Sequence, residues 1–243
     1  MQHERNIAEF DRDVRAYGGY RYTSGARLSS RLSTRRITDA VLALARPRGK
    51  RIVDIGCGDG TYTMELAQAG AREVRGFDAS AEAIAVASSR VGAQDNVRFG
   101  VLDVYQLEAG GQPYDVAVVR GMLHHLYDAP RAIRRISQIA REIVVVEPNG
   151  WNPALKLLEK FSPYHVRHEE KSFAPRQLDR WFAVAGCRLE SSAFIGLVPI
   201  FCPDALAHVL KAMEPFVENT PLVRAVACGQ YVQLLTSSLA APA

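Results

Sequence analysis

Acids and histidines recur at the ends of successive apolar runs in this chain. Asp54 precedes the alternate glycines Gly56, Gly58 and Gly60 in VDIGCGDG. An apolar run, a glycine turn and a helix-forming run leave main-chain N–H groups exposed at a strand end. Glycines without Cβ let a ligand lie against the chain, here at Gly56, Cys57 and Gly58. The spacing is G-x-G-x-G, not the G-x-G-x-x-G that seats a pyrophosphate on a helix N-terminus. Asp54 and Asp59 would repel a pyrophosphate and suit a ligand with cationic character. Asp78, followed by Ala79, closes the next run in GFDAS, where a carboxylate can accept both hydroxyls of a ribose. Asp103 closes the third in VLDVY, placed to accept from an exocyclic amine while Val104 lies against a purine face. The fourth run leads into VVRGMLHHL, with Arg120, His124 and His125.

The elements that position these residues alternate strictly. Strand patterns cover 51–55, 73–77, 96–101, 114–119 and 142–147, and helix patterns follow at 61–69, 80–91 and from Asp128 onward. Ser80 is a candidate N-cap, and Pro130 stands in the first turn after Asp128. This order implies a parallel sheet covered on both faces, with its carboxyl ends on one edge. After Pro148 the pattern changes to a helix at 151–161, a loop at 162–173 rich in proline, histidine and charge, and a helix at 174–186. Two final strands enclose a helix of about 203–214. Residues 27–45 read as helical, and Leu28 and Leu32 fall on a different side from Ile37, Val41 and Leu44, which leaves one helix or two open there. The first 26 residues are polar and tyrosine-rich.

A ribose, a purine and a charged tail without phosphate describe S-adenosylmethionine. The segment 51–147 resembles the class I S-adenosylmethionine-dependent methyltransferases in VDIGCGDG, FDAS, LDV and YDVAVVRGMLHHL. The resemblance implies a Rossmann-like, doubly wound α/β fold with a seven-stranded sheet whose last strand is antiparallel. It also implies that Asp54 and Gly56 lie near the methionine portion, that Asp78 holds the ribose, and that Asp103 and Val104 frame the adenine. Arg120 stands where that family presents a backbone carbonyl near the amino group of the ligand. The stretch from Glu147 to Gly186 is similar to the C-terminal part of bacterial methyltransferases acting on small molecules, lipids or glycans.

Methyl transfer is an in-line displacement, and the protein removes a proton where one must leave. His124 or His125 is placed to act as that base or to bind the acceptor. Trp151, Tyr164, His165 and His168 are further candidates for acceptor contact. No metal site is expected, because the histidines of 162–173 sit between Pro163 and Pro175 without helical ligand spacing. Residues 1–45 form an N-terminal flap and helix, with Tyr17, Tyr20 and Tyr22 over the cofactor. Residues 46–243 form the cofactor-binding domain, with cap insertions at about 148–173 and 195–222. Arg27, Arg31 and Arg35 make a helical stripe that reads as a solvated face.

Composition narrows the function. The chain has 243 residues, 48% of them hydrophobic, and a formal net charge of +4, which by itself does not argue for a nucleic-acid binder. Nucleic acid is disfavoured as substrate, because Arg120-Gly121-Met122-Leu123 replaces the Asp/Asn-Pro-Pro-aromatic motif of amino-methylases of DNA bases, and no basic domain is appended. RNA or protein methylation stays the alternative, with a nicotinamide oxidoreductase and a non-catalytic cofactor-binding module as remote ones. No apolar run approaches membrane-spanning length, the charged opening does not read as a signal peptide, and four cysteines without CxxC pairing fit a reducing cytoplasm. Asp78→Ala should weaken S-adenosylmethionine binding by about 2–5 kcal/mol, through the loss of two charge-assisted hydrogen bonds. Asp103→Ala should weaken it less. Calorimetry showing unchanged affinity for Asp78→Ala would remove the ribose assignment.

Overall fold

The computed structural model describes residues 2–20, 23, 27–92, 94–162 and 171–240. Seven strands form one sheet: β1 (Arg51–Ile55), β2 (Glu73–Asp78), β3 (Val97–Val101), β4 (Tyr114–Arg120), β5 (Ala140–Pro148), β6 (Arg188–Ile195) and β7 (Gln230–Thr236). Their order is β3-β2-β1-β4-β5-β7-β6. The first five strands pair in parallel, and β7 runs antiparallel between β5 and β6. The doubly wound, seven-stranded expectation holds, including the antiparallel last strand.

Strand alternation sends side chains to two cores. Val53, Ile55, Ala117, Val119, Ile143 and Val145 face α5 (Ala129–Ile136) and α7 (Pro175–Val184), which contribute Ile133, Ile136, Leu178 and Phe182. Ile52, Val74, Val116, Val118 and Val144 face α2 (Leu28–Ala45) and α3 (Thr61–Gln68). Helix α4 (Ala81–Ser89) starts at Ser80, whose hydroxyl accepts from Ala83 N at 3.0 Å, as its sequence position predicts.

Two local expectations change, and one left open is resolved. Residues 28–45 form one helix: its Ile37, Val41 and Ala45 pack on the sheet, while Leu28 and Leu32 meet Val198, Cys202 and Ala207. The two apolar sides therefore serve two neighbours. The N-terminal region contains a helix, α1 (Gln2–Tyr17), that its polar composition hid, and its Phe10 and Val14 pack with Tyr20, Ala83 and Val86. The helix expected to end near 214 continues through Pro215 as α8 (Asp204–Asn219), and α9 (Pro221–Ala227) follows. A proline costs a helix one hydrogen bond, and the tertiary packing of Ala207, Glu214 and Val217 carries α8 past that loss.

Because β7 reverses, Ile195 at the end of β6 and Pro148 at the end of β5 both lie opposite Gln230. The segment 196–229, with α8 and α9, thus lies on the edge where β1 to β5 end. Helix α6 (Pro153–Phe161) joins it there: its N-cap Asn152 donates from Nδ2 to Ala227 O and Cys228 O at 3.1 and 3.2 Å. No helix among the described residues is long and apolar enough to cross a membrane.

The turn between β1 and α3 leaves no room at Gly60, where φ is 75° and an added Cβ would lie 2.7 Å from Phe99 Cζ and 2.8 Å from Ala87 Cβ. Gly60→Ala should cost about 2–4 kcal/mol from overpacking and backbone strain, read as a lower denaturant midpoint. An unchanged midpoint would contradict this packing.

Candidate active site

The first three strands deliver acids to one edge. Asp54, next to last in β1, is buried and accepts from Thr63 Oγ1 of α3 at 2.6 Å. Burial pushes its pKa up to about 6, against the pull of Thr63 and of the Arg120 charge. Asp78 ends β2 and binds the next two turns together: Oδ2 accepts from Gly58 N and Oδ1 from Ser80 N, each at 2.9 Å. Burial raises its pKa, and those main-chain donors oppose the rise. Ala79 lies half-buried at the turn into α4. Asp103 caps the short 3-10 turn Val104–Gln106, accepting from Tyr105 N at 2.9 Å, and Val104 packs in the same core as Ile55 and Leu123.

The glycine loop is closely covered. Gly56 and Cys57 donate from their main-chain nitrogens to Phe77 O at 2.8 and 3.1 Å, which ties the loop to β2. Cys57 is buried, and burial drives its thiol pKa far up, so it is a packing residue there. At Gly58, with φ 55°, a Cβ would lie 2.5 Å from Tyr20 Cε2. The tyrosine that covers the glycine loop is therefore Tyr20. Tyr17 is exposed at the end of α1, and Tyr22 lies outside the described residues.

Asp59 explains how Tyr20 is held. Its Oδ2 accepts from Tyr20 N at 3.2 Å and Thr23 Oγ1 at 2.7 Å, and Oδ1 accepts from Thr61 N and Oγ1 at 3.2 and 2.7 Å. Arg90 pairs with it at 3.1 Å. Burial pushes the Asp59 pKa up, but the hydroxyl donors and Arg90 outweigh burial and hold it below the usual carboxylate range. The helix α1 is fastened nearby, where Ser80 Oγ donates to Asp11 and Arg15 pairs with Glu82 at 2.9 Å.

Arg120 at the end of β4 turns toward α2 and α3. Its Nη1 donates to Thr38 Oγ1 at 2.9 Å, Nη2 donates to Thr34 O at 3.1 Å, and the guanidinium sits 3.4 Å above the Tyr62 ring. The two histidines follow in a 3-10 turn, Leu123–His125, with rings 3.9 Å apart. Glu147 of β5 organises this turn from a wholly buried position. It accepts from the main-chain nitrogens of Met122, Leu123 and His124 at 2.9, 2.8 and 3.2 Å, and its Oε2 lies 2.8 Å from His124 Nδ1. The His125 ring meets Phe10 of α1 edge-on at 5.0 Å. The structure thus brings Asp54, Asp78, Arg120, His124 and His125 to the neighbourhood of one sheet edge. Trp151 turns aside to stack on Phe194 of β6 at 5.9 Å. Tyr164, His165 and His168 lie outside the described residues.

The sequence reading missed Glu147 and Asp11, and it gave Asp59 to a cationic ligand where the structure gives its carboxylate to Tyr20, Thr23, Thr61 and Arg90. Glu147 had a visible signal, since EIVVVEP closes an apolar run with an acid as GFDAS and VLDVY do. Asp11 had none, because its partner Ser80 is far away in the chain. No group of three or more His, Cys, Asp or Glu among the described residues is placed to hold a metal ion.

Comparison with known proteins agrees with this geometry. Residues 28–192 match the family model described as a methyltransferase domain. The ubiquinone biosynthesis O-methyltransferase of Neisseria meningitidis serogroup C is 27% identical over 152 residues, covering 57% of this chain and 64% of that protein. The chain thus spans less than two thirds of that relative. Among solved structures, magnesium protoporphyrin IX methyltransferase from Synechocystis, with S-adenosylhomocysteine bound, superposes with a TM-score of 0.63 at 18% identity, covering 96% of each chain. The [4+2]-cyclase SpnF superposes with a TM-score of 0.61 at 17% identity, covering 83% of this chain and 80% of that one. At these identities the superpositions speak for the fold. The family match runs from α2 into β6 over more than half of the chain, and the chain belongs to the methyltransferase-domain family of the class I, S-adenosylmethionine-dependent kind.

Proposed function

We propose that the protein transfers a methyl group from S-adenosylmethionine to an oxygen nucleophile of a small molecule, with His124 taking the proton that leaves. The observation that carries this reading is the 2.8 Å contact between His124 Nδ1 and the buried Glu147. A carboxylate only accepts, so Nδ1 carries the hydrogen and Nε2 is the ring atom able to accept a proton. The relatives named as O-methyltransferases favour oxygen over nitrogen as the acceptor atom. His125, against Phe10 and His124, is the second candidate for acceptor contact.

The donor set fits the cofactor. Asp78 and Asp103 offer carboxylates for the ribose and adenine, and Asp54 offers a negative charge toward the amino group of the methionine portion. When bound, the cofactor supplies an activated methyl on a sulfonium. The chain's own residues orient it and accept the acceptor proton. Tyr20 closes the glycine loop from above, and Tyr17 stands at the end of α1, just before it in the chain. Helix α6 and the segment 195–222 flank the carboxyl edge, and with the rest of 148–173 they are the cap through which an acceptor enters, with Trp151 at its start. The four cysteines are buried and free of disulfides, which supports a reducing, cytoplasmic setting.

Two measurements test this reading. Asp54 has a folded pKa of about 6, above its unfolded value. Its contribution to stability is therefore present at low pH and lost as the pH rises through about 6, on the order of 3 kcal/mol. Asp54→Asn should melt above the wild type at neutral pH, with the gap closing toward about pH 4, yet bind S-adenosylmethionine more weakly. The wild-type affinity should itself fall as the pH drops through about 6, and a flat affinity there would remove Asp54 from the cofactor site. In a methyl-transfer assay over a panel of small hydroxyl-bearing acceptors, His124→Gln should lose kcat by about 10²–10⁴ with cofactor affinity unchanged. Full activity in both His124→Gln and His125→Gln would leave catalysis to positioning alone.

A further inference from the structure

Twelve of the seventeen large apolar side chains exposed among the described residues lie in 151–161 and 201–226. They are concentrated on α6, α8 and α9, which meet at the carboxyl edge. On α8 the exposed Leu206, Val209, Met213 and Phe216 recur at helical spacing along one face. Phe161, Phe216 and Leu222 are 70%, 72% and 86% exposed. From Ala205 to Val223 the charged side chains are Lys211, Glu214 and Glu218, and of these Lys211 is partly exposed and paired with Glu214.

The charges around this face are sorted. Three of its acids turn inward, while Asp204 at the start of α8 is exposed: Glu214 pairs with Lys211 and accepts from Leu197 N, Glu218 takes Arg36 Nη2 at 2.7 Å and Gly196 N at 2.8 Å, and Glu159 binds Lys156 and Ser172. Cations stand over three exposed aromatic rings. Lys160 Nζ lies 5.5 Å from the Phe161 centroid, Arg27 lies 5.7 Å from that of Phe201, and Arg176 lies 5.8 Å from that of Trp151. An apolar stripe with aromatic residues and cations beside it is the pattern of helices that lie in a membrane interface.

We infer that the face formed by α6, α8 and α9 docks on an anionic lipid surface. The apolar side chains enter the headgroup region, and Lys160, Arg27 and Arg176 meet lipid phosphates. The contact is a peripheral one, made by helices that lie in the interface. The face adjoins the carboxyl edge of the sheet, so docking brings that edge against the lipid. This inference is independent of the acid–base role of His124.

The test is co-sedimentation of the full chain with vesicles of equal parts phosphatidylglycerol and phosphatidylcholine, and with vesicles of phosphatidylcholine alone. The protein should pellet with the anionic vesicles, less with the neutral ones, and less at high salt. The double variant Phe216→Ser/Leu222→Ser should lower partitioning about tenfold or more, and Lys160→Glu about threefold. Unchanged melting temperature and S-adenosylmethionine affinity confirm that these variants are folded. No pelleting with anionic vesicles, or equal pelleting of the double variant, overturns the inference. A dimer in sedimentation velocity that the double variant dissolves also overturns it, by assigning the face to a second copy.

Discussion

Buried carboxylates hold the carboxyl edge of this sheet together. A charge taken out of water must be met by donors, or the fold loses several kcal/mol. At this edge the donors come from other elements. Asp54 takes the Thr63 hydroxyl of α3, Asp78 takes N–H groups from the glycine loop and the start of α4, and Glu147 takes three N–H groups from the turn after β4. Asp59 takes Tyr20 and Thr23 from the N-terminal segment. Each acid thereby fixes a loop that a parallel sheet would otherwise leave loose at its edge. The same edge is where ligands of open α/β sheets bind, so the satisfaction of these acids and the shape of the site are one problem.

This explains the economy of the cofactor side. Asp54 is costly to ionise in the folded protein, and a ligand carrying a positive group lowers that cost. Asp78 keeps both oxygens on main-chain donors, so its direction is set before any ligand arrives. Glu147 does the same for His124, fixing which ring nitrogen carries hydrogen. Arg120 is held by Thr38, Thr34 and the face of Tyr62, and its charge reaches Asp54.

Much of this was legible in the chain because strand ends and glycine turns are local signals. VDIGCGDG, GFDAS and VLDVY each combine an apolar run with an acid at its end, and β1, β2 and β3 end within or just before those stretches. What stayed hidden depended on distant partners. Helix α1 is polar in sequence and gains its place from Phe10 and Val14 against α4 and from Asp11 on Ser80. Leu28 and Leu32 left one helix or two open because the surface they pack on, around Val198 and Ala207, comes from the far end of the chain. The helix expected over about 203–214 runs on through Pro215, because tertiary contacts on both sides of that proline carry α8 onward.

The central claim is that the acids at this edge accept a cationic adenosyl ligand and reject a dinucleotide. Calorimetric titration of the wild-type chain with S-adenosylmethionine and, separately, with NAD tests it most directly. One saturable site per chain for S-adenosylmethionine and no saturable heat for NAD is the predicted result. Saturable NAD binding, or no binding of S-adenosylmethionine, would contradict it.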